Sequence, residues 1–465
     1  METLAGFRAP VRQGRVNSPW RGTGGWRTPW PVLSVFRHSG PFAHRNARLY
    51  VFFTVLYNAR AYYPVLAIFF TDLGLTLERF VFLNLVWALA IFLLEVPSGA
   101  LADTIGRKKL LVFAAAVMVV EMIILLTAPK DGGTLLFAFC IVTRLLSGTS
   151  EAAASGADEA IAYESLPEEG REKAWDEVMA TAMRWRSAGF LIAMALGGLL
   201  YDPSWLAKLG LVVPVDVAHR LPVAVVLLQA LACVAIALRL EETPHPAGRL
   251  GERCAAAFHL TMRTARRAFT TRSIAVVILG GLLIDSVARN FATINSQYYR
   301  LIGIPEWAFG FIGAAVGVMS FFVPGIAKWL NERFTPLGVL GIAAAVGVVA
   351  LGMLAPAWPW FGLFPAMLLM TLLGLVGFTV SRHLHASAES TQRATLLSVK
   401  GLAFNLGYGA FSLGFSILLA RLRETRGDDA FRAALQWQMP AFALLILAFF
   451  AWAWRGSGRS KELRP

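Results

Sequence analysis

The sequence predicts an all-α membrane protein with twelve transmembrane helices in two groups of six. Of the 465 residues, 57% are hydrophobic and only 15% are charged, whereas a soluble domain contains about 25% charged residues. The mean hydropathy is +0.59. Twelve apolar runs are long enough to cross a hydrocarbon core about 30 Å thick, which needs about 20 residues per helix. A water-soluble globular protein is excluded because this composition cannot supply a polar surface.

The twelve predicted spans follow one another with short connections except at the centre of the chain, where a long basic stretch separates six from six. Internal Gly and Pro residues do not argue against these spans, because neighbouring membrane helices satisfy the freed backbone groups. The spans lie near residues 47–71, 79–101, 110–128, 134–162, 178–200, 219–240, 273–299, 306–330, 336–354, 359–385, 394–419 and 436–455.

Five regions follow from this pattern. Residues 1–46 are a basic arm rich in Arg, Gly and Pro, for which we expect disorder. Residues 47–240 and 273–455 are the two bundles, residues 241–272 are a linker, and residues 456–465 are a tail. The arm lacks the apolar segment of a cleavable secretory signal.

The basic residues predict the topology. With both termini cytoplasmic, 29 of the 43 Lys and Arg residues lie inside and nine lie outside, as the positive-inside rule requires. We therefore expect a multi-pass protein of the plasma (inner) membrane, with Arg-rich and Ala-rich usage that hints at a bacterium. The net charge of +14 is explained by this topology, so it does not indicate nucleic-acid binding.

Several functional classes lack their motifs. The chain contains neither the phosphate-binding G-x-x-x-x-G-K-[ST] loop nor H-E-x-x-H, so an ATP-driven pump within this chain or a zinc enzyme is not expected. Three cysteines without C-x-x-C spacing predict no disulfide framework. His383 and His385 are two residues apart, which directs them to different faces of a helix, so no metal site is expected. We predict no cofactor and no enzymatic activity.

The segment after the second span carries a distinctive charge pattern. It contains Gly99, Asp103, Gly106, Arg107 and Lys108. The glycines permit a tight backbone, the aspartate can pair with a cation or cap a helix N-terminus, and an arginine can hold a carboxylate through two parallel hydrogen bonds. These residue types indicate a charged latch at the inner face of the membrane.

This segment closely resembles the signature loop of the major facilitator superfamily, G-x-x-x-D-x-x-G-[RK]-[RK]. With the six-plus-six layout, the resemblance covers residues 47–455. It implies two bundles related by pseudo-twofold symmetry and a latch that stabilises the outward-facing state by tying the bundles together at the cytoplasmic side. The expected acidic partners of this latch are Glu95, Glu159 and Glu164.

The fifth span resembles the glycine-rich G-x-x-x-G-P-x-x-G-G pattern of proton-driven exporters through Gly189, Gly197 and Gly198. Ala193 and Met194 replace its inner Gly-Pro pair, which weakens the case for an exporter. The direction of transport therefore stays open at this point.

Charged residues within the spans are costly and are functional candidates by default. In the superfamily, helices 1, 4, 7 and 10 line a central cavity, and the resemblance places there Arg60, Arg144, Glu151, Asp285 and Arg289. Asp285 and Arg289 are one helical turn apart, so they predict either a structural ion pair or a proton-sensitive switch. Glu151 is an expected partner of Arg60 or Arg184. Glu121, on a peripheral helix, is expected to be structural.

The leading prediction is a monomeric secondary active transporter that moves a small organic solute by alternating access, coupled to protons at Asp285 or Glu151. Efflux of amphipathic compounds is preferred slightly over uptake of an organic anion, which three cavity arginines would favour. A receptor or scaffold on the same fold, without transport activity, is the alternative from another class. A state-dependent latch argues against it. The lipid bilayer is an expected partner in each case.

Overall fold

The computed structural model describes residues 40–242, 250–387 and 393–455, and every regular element in these ranges is helical. Two short helices, α6 and α8, and one linker helix, α10, accompany the helices that span the molecule. The α-helices are α1 (Arg45–Asn58), α2 (Leu66–Asp72), α3 (Leu77–Ile105), α4 (Arg107–Thr127), α5 (Thr134–Ala154), α6 (Ala157–Glu164), α7 (Arg171–Tyr201), α8 (Pro203–Lys208), α9 (Val215–Arg239), α10 (Leu250–Thr270), α11 (Arg272–Leu301), α12 (Glu306–Arg333), α13 (Pro336–Leu354), α14 (Leu363–Ser387), α15 (Arg393–Arg426) and α16 (Ala430–Arg455).

Each of the twelve predicted spans contains helix. Nine helical stretches of the described residues are long and apolar enough to cross a membrane, and one of these, Thr395–Arg455, covers both α15 and α16. The two spans outside this set are the first, which is divided between α1 and α2, and the fifth, α7, whose first turns are charged. The all-α prediction is therefore confirmed.

The first span is interrupted in its middle. Helix α1 ends at Asn58, a turn follows, and a short 3-10 helix at Tyr63–Val65 leads into α2. Pro64 has no N–H to continue the ladder of helical hydrogen bonds. The buried carbonyl of Ala61 packs against Gly197 of α7, where a Cβ atom would lie 1.7 Å from the Ala61 oxygen. The break thus depends on a position that accepts only glycine.

The helices form two bundles, α1–α9 and α11–α16, which meet mainly through α3 with α15 and α7 with α12. We call the end that carries residues 99–109 and α10 the linker end, and the other the opposite end. On the α7–α12 seam, a Cβ added at Gly198 would lie 2.8 Å from Gly310 N, and one added at Gly310 would lie 2.0 Å from Met194 O. The two backbones are therefore in direct contact near the opposite end.

Towards the linker end the same seam is open. A Cβ at Gly325 of α12 would meet nothing within 4 Å, and Phe321, Phe322 and Ile326 are exposed. On α7, Met183 and Arg184 are exposed as well. The bundles thus pack together at the opposite end and diverge at this seam towards the linker end.

The described residues begin at Gly40, before the predicted boundary at residue 47. Residues Gly40–Ala43 form a 3-10 turn, and Phe42 is buried in a cluster with Tyr50 of α1 and Val178 of α7. The arm prediction therefore extends too far for residues 40–46, because one aromatic side chain docks this segment against the bundle. Residues 1–39, residues 243–249 of the linker and the tail 456–465 lie outside the described residues.

Candidate functional site

Two oppositely charged side chains are buried together in the first bundle. Arg60, in the break of the first span, lies with its Nη1 3.6 Å from Glu121 Oε2 of α4, and the two side chains are 4% and 2% exposed. The same guanidinium lies 5.4 Å from the centre of the Tyr57 ring. Glu121, rather than the expected Glu151, is therefore the described ion partner of Arg60.

Arg144 of α5 is also buried. Its guanidinium lies over the rings of Phe70 and Phe80, at 5.0 and 5.9 Å from their centres. Cation–π contacts of this kind stabilise a desolvated guanidinium. Its Nε and Nη2 atoms have no hydrogen-bond partner among the described residues. The side chain predicted to face the central cavity is therefore enclosed by aromatic rings.

Glu151 lies one residue after the buried Ser150 on α5, and its side chain is exposed. The indole Nε1 of Trp87, on α3, donates a hydrogen bond of 3.2 Å to its Oε2. Trp87 in turn meets Tyr408 of α15 edge to face, with ring centres 6.1 Å apart. This aromatic contact crosses from the first bundle to the second.

Asp285 and Arg289 pair within α11, with Arg289 Nη2 2.8 Å from Asp285 Oδ2. Arg289 Nη1 also donates to Asn405 Oδ1 at 3.0 Å, and its guanidinium lies 5.6 Å from the centre of the Tyr408 ring. The Asp285 side chain is 6% exposed and that of Arg289 is 29% exposed. The ion pair that the four-residue spacing predicts is therefore present, and the Arg289 side chain is the more exposed of the two.

Glu151, Trp87, Tyr408 and Arg289 thus form a continuous row at mid-depth between the bundles, which we call the central row. It presents a carboxylate on the first bundle and a guanidinium on the second, separated by two aromatic rings. Such a set can bind a small amphipathic molecule: aromatic faces hold its apolar part, and the two charges hold polar groups. A change in distance between the bundles would alter the contact between Trp87 and Tyr408, which is the contact of the row that crosses from one bundle to the other.

The latch residues lie at the linker end. Arg107, the first residue of α4, contacts Glu164 of α6 and lies 3.7 Å from Asp103 of α3. Gly106 has a φ of 101°, a conformation that favours glycine. The backbone N–H of Lys108 donates to Glu242 at the start of the linker, at 3.4 Å.

Of the three predicted latch partners, the structure brings Glu164 to Arg107. The described contacts of Arg107 do not include Glu95 or Glu159. Glu95 lies on α3, where its carbonyl accepts a bond from Ser98 and its carboxylate lies beside Ser398 of α15, and the backbone N–H of Glu159 donates to Asp158 Oδ1 at 2.8 Å. Gly99 has open space at its Cβ position. The contacts of Arg107 with Asp103 and Glu164 join helices of the first bundle, and the contact of Lys108 with Glu242 joins that bundle to the linker.

A set of charges at the opposite end was missed by the sequence analysis. Arg300, near the end of α11, forms two hydrogen bonds to Asp72, at the end of α2, of 2.7 and 2.8 Å. Arg300 Nε also donates to Glu306 at 3.0 Å, and Tyr201 of α7 donates to Asp72 at 2.7 Å. We call Asp72, Arg300, Glu306 and Tyr201 the lock, because Asp72 and Arg300 belong to different bundles.

The lock is extended by neighbouring contacts between the bundles. The N–H of Trp307 donates to Asp202 at 3.3 Å, and the rings of Trp205 and Trp307 stack 5.5 Å apart. On the other seam, Ser416 donates to the carbonyl of Glu78 at 2.8 Å. The opposite end is therefore closed by polar and aromatic contacts on both seams.

Asp72 lies just beyond the first predicted span. Burial alone would raise its pKa, but the hydrogen bonds from Arg300 and Tyr201 outweigh that effect and hold the pKa of Asp72 below its ordinary value. The carboxylate is therefore ionised at neutral pH, and the stabilisation it provides is lost only as the pH falls below about 4. The lock does not open on mild acidification through this group.

One signal could have identified the lock. Asp72 and Arg300 flank the ends of the first and seventh spans, which correspond in the two halves, and they have opposite charge.

For metals, the described residues contain no group of three or more His, Cys, Asp or Glu that could hold an ion. His383 lies 3.5 Å from Ser387 instead.

Comparison with known proteins gives consistent results at the level of the fold. The family model described as Major Facilitator Superfamily matches residues 49–412. No curated protein sequence matches the chain.

Among solved structures, a nucleoside transporter, NupG, superposes with a TM-score of 0.65 at 14% identity, covering 88% of this chain and 98% of that one. A bacterial homologue of the human lysosomal transporter Spinster, in an inward-facing and occupied conformation, gives 0.60 at 15% identity, covering 88% and 96%. A D-xylose-proton symporter gives 0.56 at 16% identity, covering 88% and 95%. At these identities the likeness establishes the fold alone.

Proposed function

This chain belongs to the major facilitator superfamily and is a membrane transporter rather than an enzyme, and from that premise we propose that it moves a small amphipathic organic solute by alternating access coupled to protons. The observation that carries this proposal is the asymmetry of the two ends. The lock closes the opposite end, while the α7–α12 seam is open at the linker end. This is the arrangement of a transporter with its central site accessible from one side.

We assign the linker end to the cytoplasmic side of the plasma membrane. The basic segments Arg107–Lys109 and the linker lie at this end, and cytoplasmic loops accumulate Lys and Arg. The described conformation is then inward-facing. In this state Arg107 pairs with Asp103 and Glu164 of its own bundle.

Glu151 and Asp285 are the proposed coupling carboxylates, and Glu151 is the stronger candidate. Its side chain is exposed and accepts one described hydrogen bond, from Trp87, so a proton or a cationic group can reach it. Asp285 is held by Arg289 and would gain a proton only when a solute or a conformational change draws that guanidinium away. Binding of the solute to the central row would thus favour proton uptake at one site and release at the other.

The exposed charges favour a neutral or cationic amphipathic solute, and hence efflux over uptake of an organic anion. The anion prediction required three cavity arginines, but Arg60 is paired with Glu121 and Arg144 is enclosed by aromatic rings. Arg289 is the one of the three whose side chain is partly exposed. The structural relatives include transporters for nucleosides, D-xylose and peptides. They therefore do not indicate one substrate class for this chain.

The test uses the full chain reconstituted in proteoliposomes with an imposed pH gradient and a panel of cationic, neutral and anionic amphipathic compounds. We expect gradient-driven movement of cationic or neutral compounds. Glu151→Gln should abolish the response to the gradient while leaving exchange of solute between the two sides. Glu332→Gln, an exposed residue paired with Lys328 at 3.8 Å, is the matched control. Gradient-driven movement that survives Glu151→Gln combined with Asp285→Asn would remove the coupling mechanism.

A further inference from the structure

The linker helix α10 carries an apolar stripe that is not fully covered by the rest of the chain. Cys254, Phe258, Met262, Ala265 and Phe269 recur at three- and four-residue spacing and lie on one face. Thr264 and Ala268, on the adjacent face, are buried against the bundles. Phe258, Met262 and Phe269 are about half exposed. The helix is therefore anchored by one face and leaves a second apolar face available.

That second face forms one wall of an apolar groove of about 900 Å³, within the size range of pockets that hold drug-sized ligands. Helix α3 contributes the second wall and α15 the third, with the facing side chains Phe92, Leu93, Val96, Leu402, Ala403 and Leu406. Leu93 is 63% exposed, and six residues after Trp87 it lies on a different face of α3 from the central row. The groove is thus lateral to the transport pathway and is walled by both bundles and the linker.

A polar stripe runs beside the apolar stripe on the same helix. It consists of His259, Arg263, Arg266 and Thr270, again at three- and four-residue spacing. Arg263 and Arg266 are exposed, and no described carboxylate lies within ion-pair distance of either. A helix with a basic face beside an apolar face lies at the interface between the hydrocarbon and the headgroups of a membrane. Two guanidiniums there attract anionic headgroups.

We propose that this groove is a binding site for an anionic phospholipid, with an acyl chain in the apolar groove and the phosphate against Arg263 and Arg266. The charge argues for this occupant, because a lipid without net negative charge would leave the charge of the two arginines uncompensated. The walls come from α3 and α15, which belong to different bundles, so the bound lipid contacts both bundles and the linker helix at once. This inference does not depend on which solute is transported.

Native mass spectrometry of the full chain tests the site, with palmitoyl-oleoyl phosphatidylglycerol and the matching phosphatidylcholine as probes. We expect retention of phosphatidylglycerol over phosphatidylcholine. The double variant Arg263→Gln, Arg266→Gln should lower the affinity for phosphatidylglycerol about 30-fold. Each arginine near an anionic surface contributes about 1 kcal/mol, and 1.4 kcal/mol corresponds to a tenfold change in affinity. Arg263→Lys with Arg266→Lys should retain the lipid. Leu93→Trp, at an exposed wall position, should reduce retention by filling the groove.

The control is Lys328→Gln with Arg333→Gln, which removes two exposed cations from the same end of the molecule. An equal loss in the control would overturn the proposal in favour of general surface electrostatics. Equal retention of both lipids, unchanged retention in the glutamine variant, or a dimer in place of a lipid adduct would overturn it as well.

A second readout uses a native reporter. Cys254 lines the groove, whereas Cys140 and Cys233 are buried. Added phosphatidylglycerol should slow alkylation of Cys254 by N-ethylmaleimide, and this protection should be lost in the Arg263→Gln, Arg266→Gln variant. Protection of the same size by phosphatidylcholine would contradict an anion-selective site.

Discussion

At the scale of single residues, the chain buries two arginines in the first bundle by different means. Arg60 is neutralised by Glu121 at 3.6 Å, whereas Arg144 relies on the faces of Phe70 and Phe80. A buried charge without a partner is far more costly than a buried pair. The Arg60 and Glu121 side chains therefore act as a unit that holds the break of the first span against α4.

Removal of one member of this pair should destabilise the protein more than removal of both. We expect Arg60→Gln or Glu121→Gln alone to lower the free energy of unfolding by about 3–5 kcal/mol, because an uncompensated charge stays buried. The double variant should recover a large part of that loss. Denaturant unfolding of the detergent-solubilised chain measures both. Strictly additive losses would mean that the two charges do not interact.

At the scale of helices, close contact between α7 and both the first span and α12 depends on glycines. Gly197 admits the carbonyl of Ala61, and Gly198 and Gly310 bring α7 and α12 into backbone contact. The glycine pattern on the fifth span was interpreted from sequence as a sign of an exporter. In the structure, its last two glycines allow close packing near the opposite end, whatever the direction of transport.

Adding one methyl group on α12 should have opposite effects at two positions. Gly310→Ala places a Cβ 2.0 Å from Met194 O, and such overpacking should cost about 1–3 kcal/mol of unfolding free energy. Gly325→Ala meets nothing within 4 Å and should be neutral or stabilising by up to about 1 kcal/mol, since alanine is the better helix former. Thermal unfolding of the two variants side by side measures this contrast. Equal stability of the two would show that the helices can separate at no cost.

At the scale of the whole molecule, the closed end depends on interactions between residues far apart in sequence. Arg300 and Asp72 are separated by 228 positions, and their pairing is reinforced by Tyr201 and Glu306. Both partners are part-buried, so solvent screens the pair only in part. This ion pair stabilises the closed arrangement of the opposite end.

Arg300→Gln should shift the balance towards opening at the opposite end by about 1 kcal/mol, or about fivefold, the value for a charge-assisted contact discounted for its exposure. A cysteine at Asn84, which is buried and bonded to Thr293 of the other bundle at 3.3 Å, reports opening through its rate of alkylation in a Cys254→Ser background. Arg421→Gln at the same end, 78% exposed and 3.9 Å from Glu424, should leave the rate unchanged. An unaltered rate in the Arg300 variant would show that the lock does not control access.

The sequence was sufficient for the number and approximate limits of the spans, because burial in lipid imposes a length and a composition on each helix independently. It was not sufficient for the pairing of charges. Glu151 was the expected partner of Arg60 or Arg184, whereas Arg60 lies beside Glu121, because partners on different helices are determined by tertiary packing. Asp285 with Arg289 was predictable, since the spacing of a single helix fixes that contact.

Each ion of the lock has a second polar contact on its own bundle, so breaking the Arg300–Asp72 pair leaves both ions with a hydrogen-bond partner. When the bundles part, Arg300 keeps Glu306 on its own side, and Asp72 keeps the hydroxyl of Tyr201 on the other. Neither side chain therefore loses all of its polar contacts when the ion pair between them breaks. Parting the bundles at this end costs less free energy than breaking an ion pair whose members have no second partner.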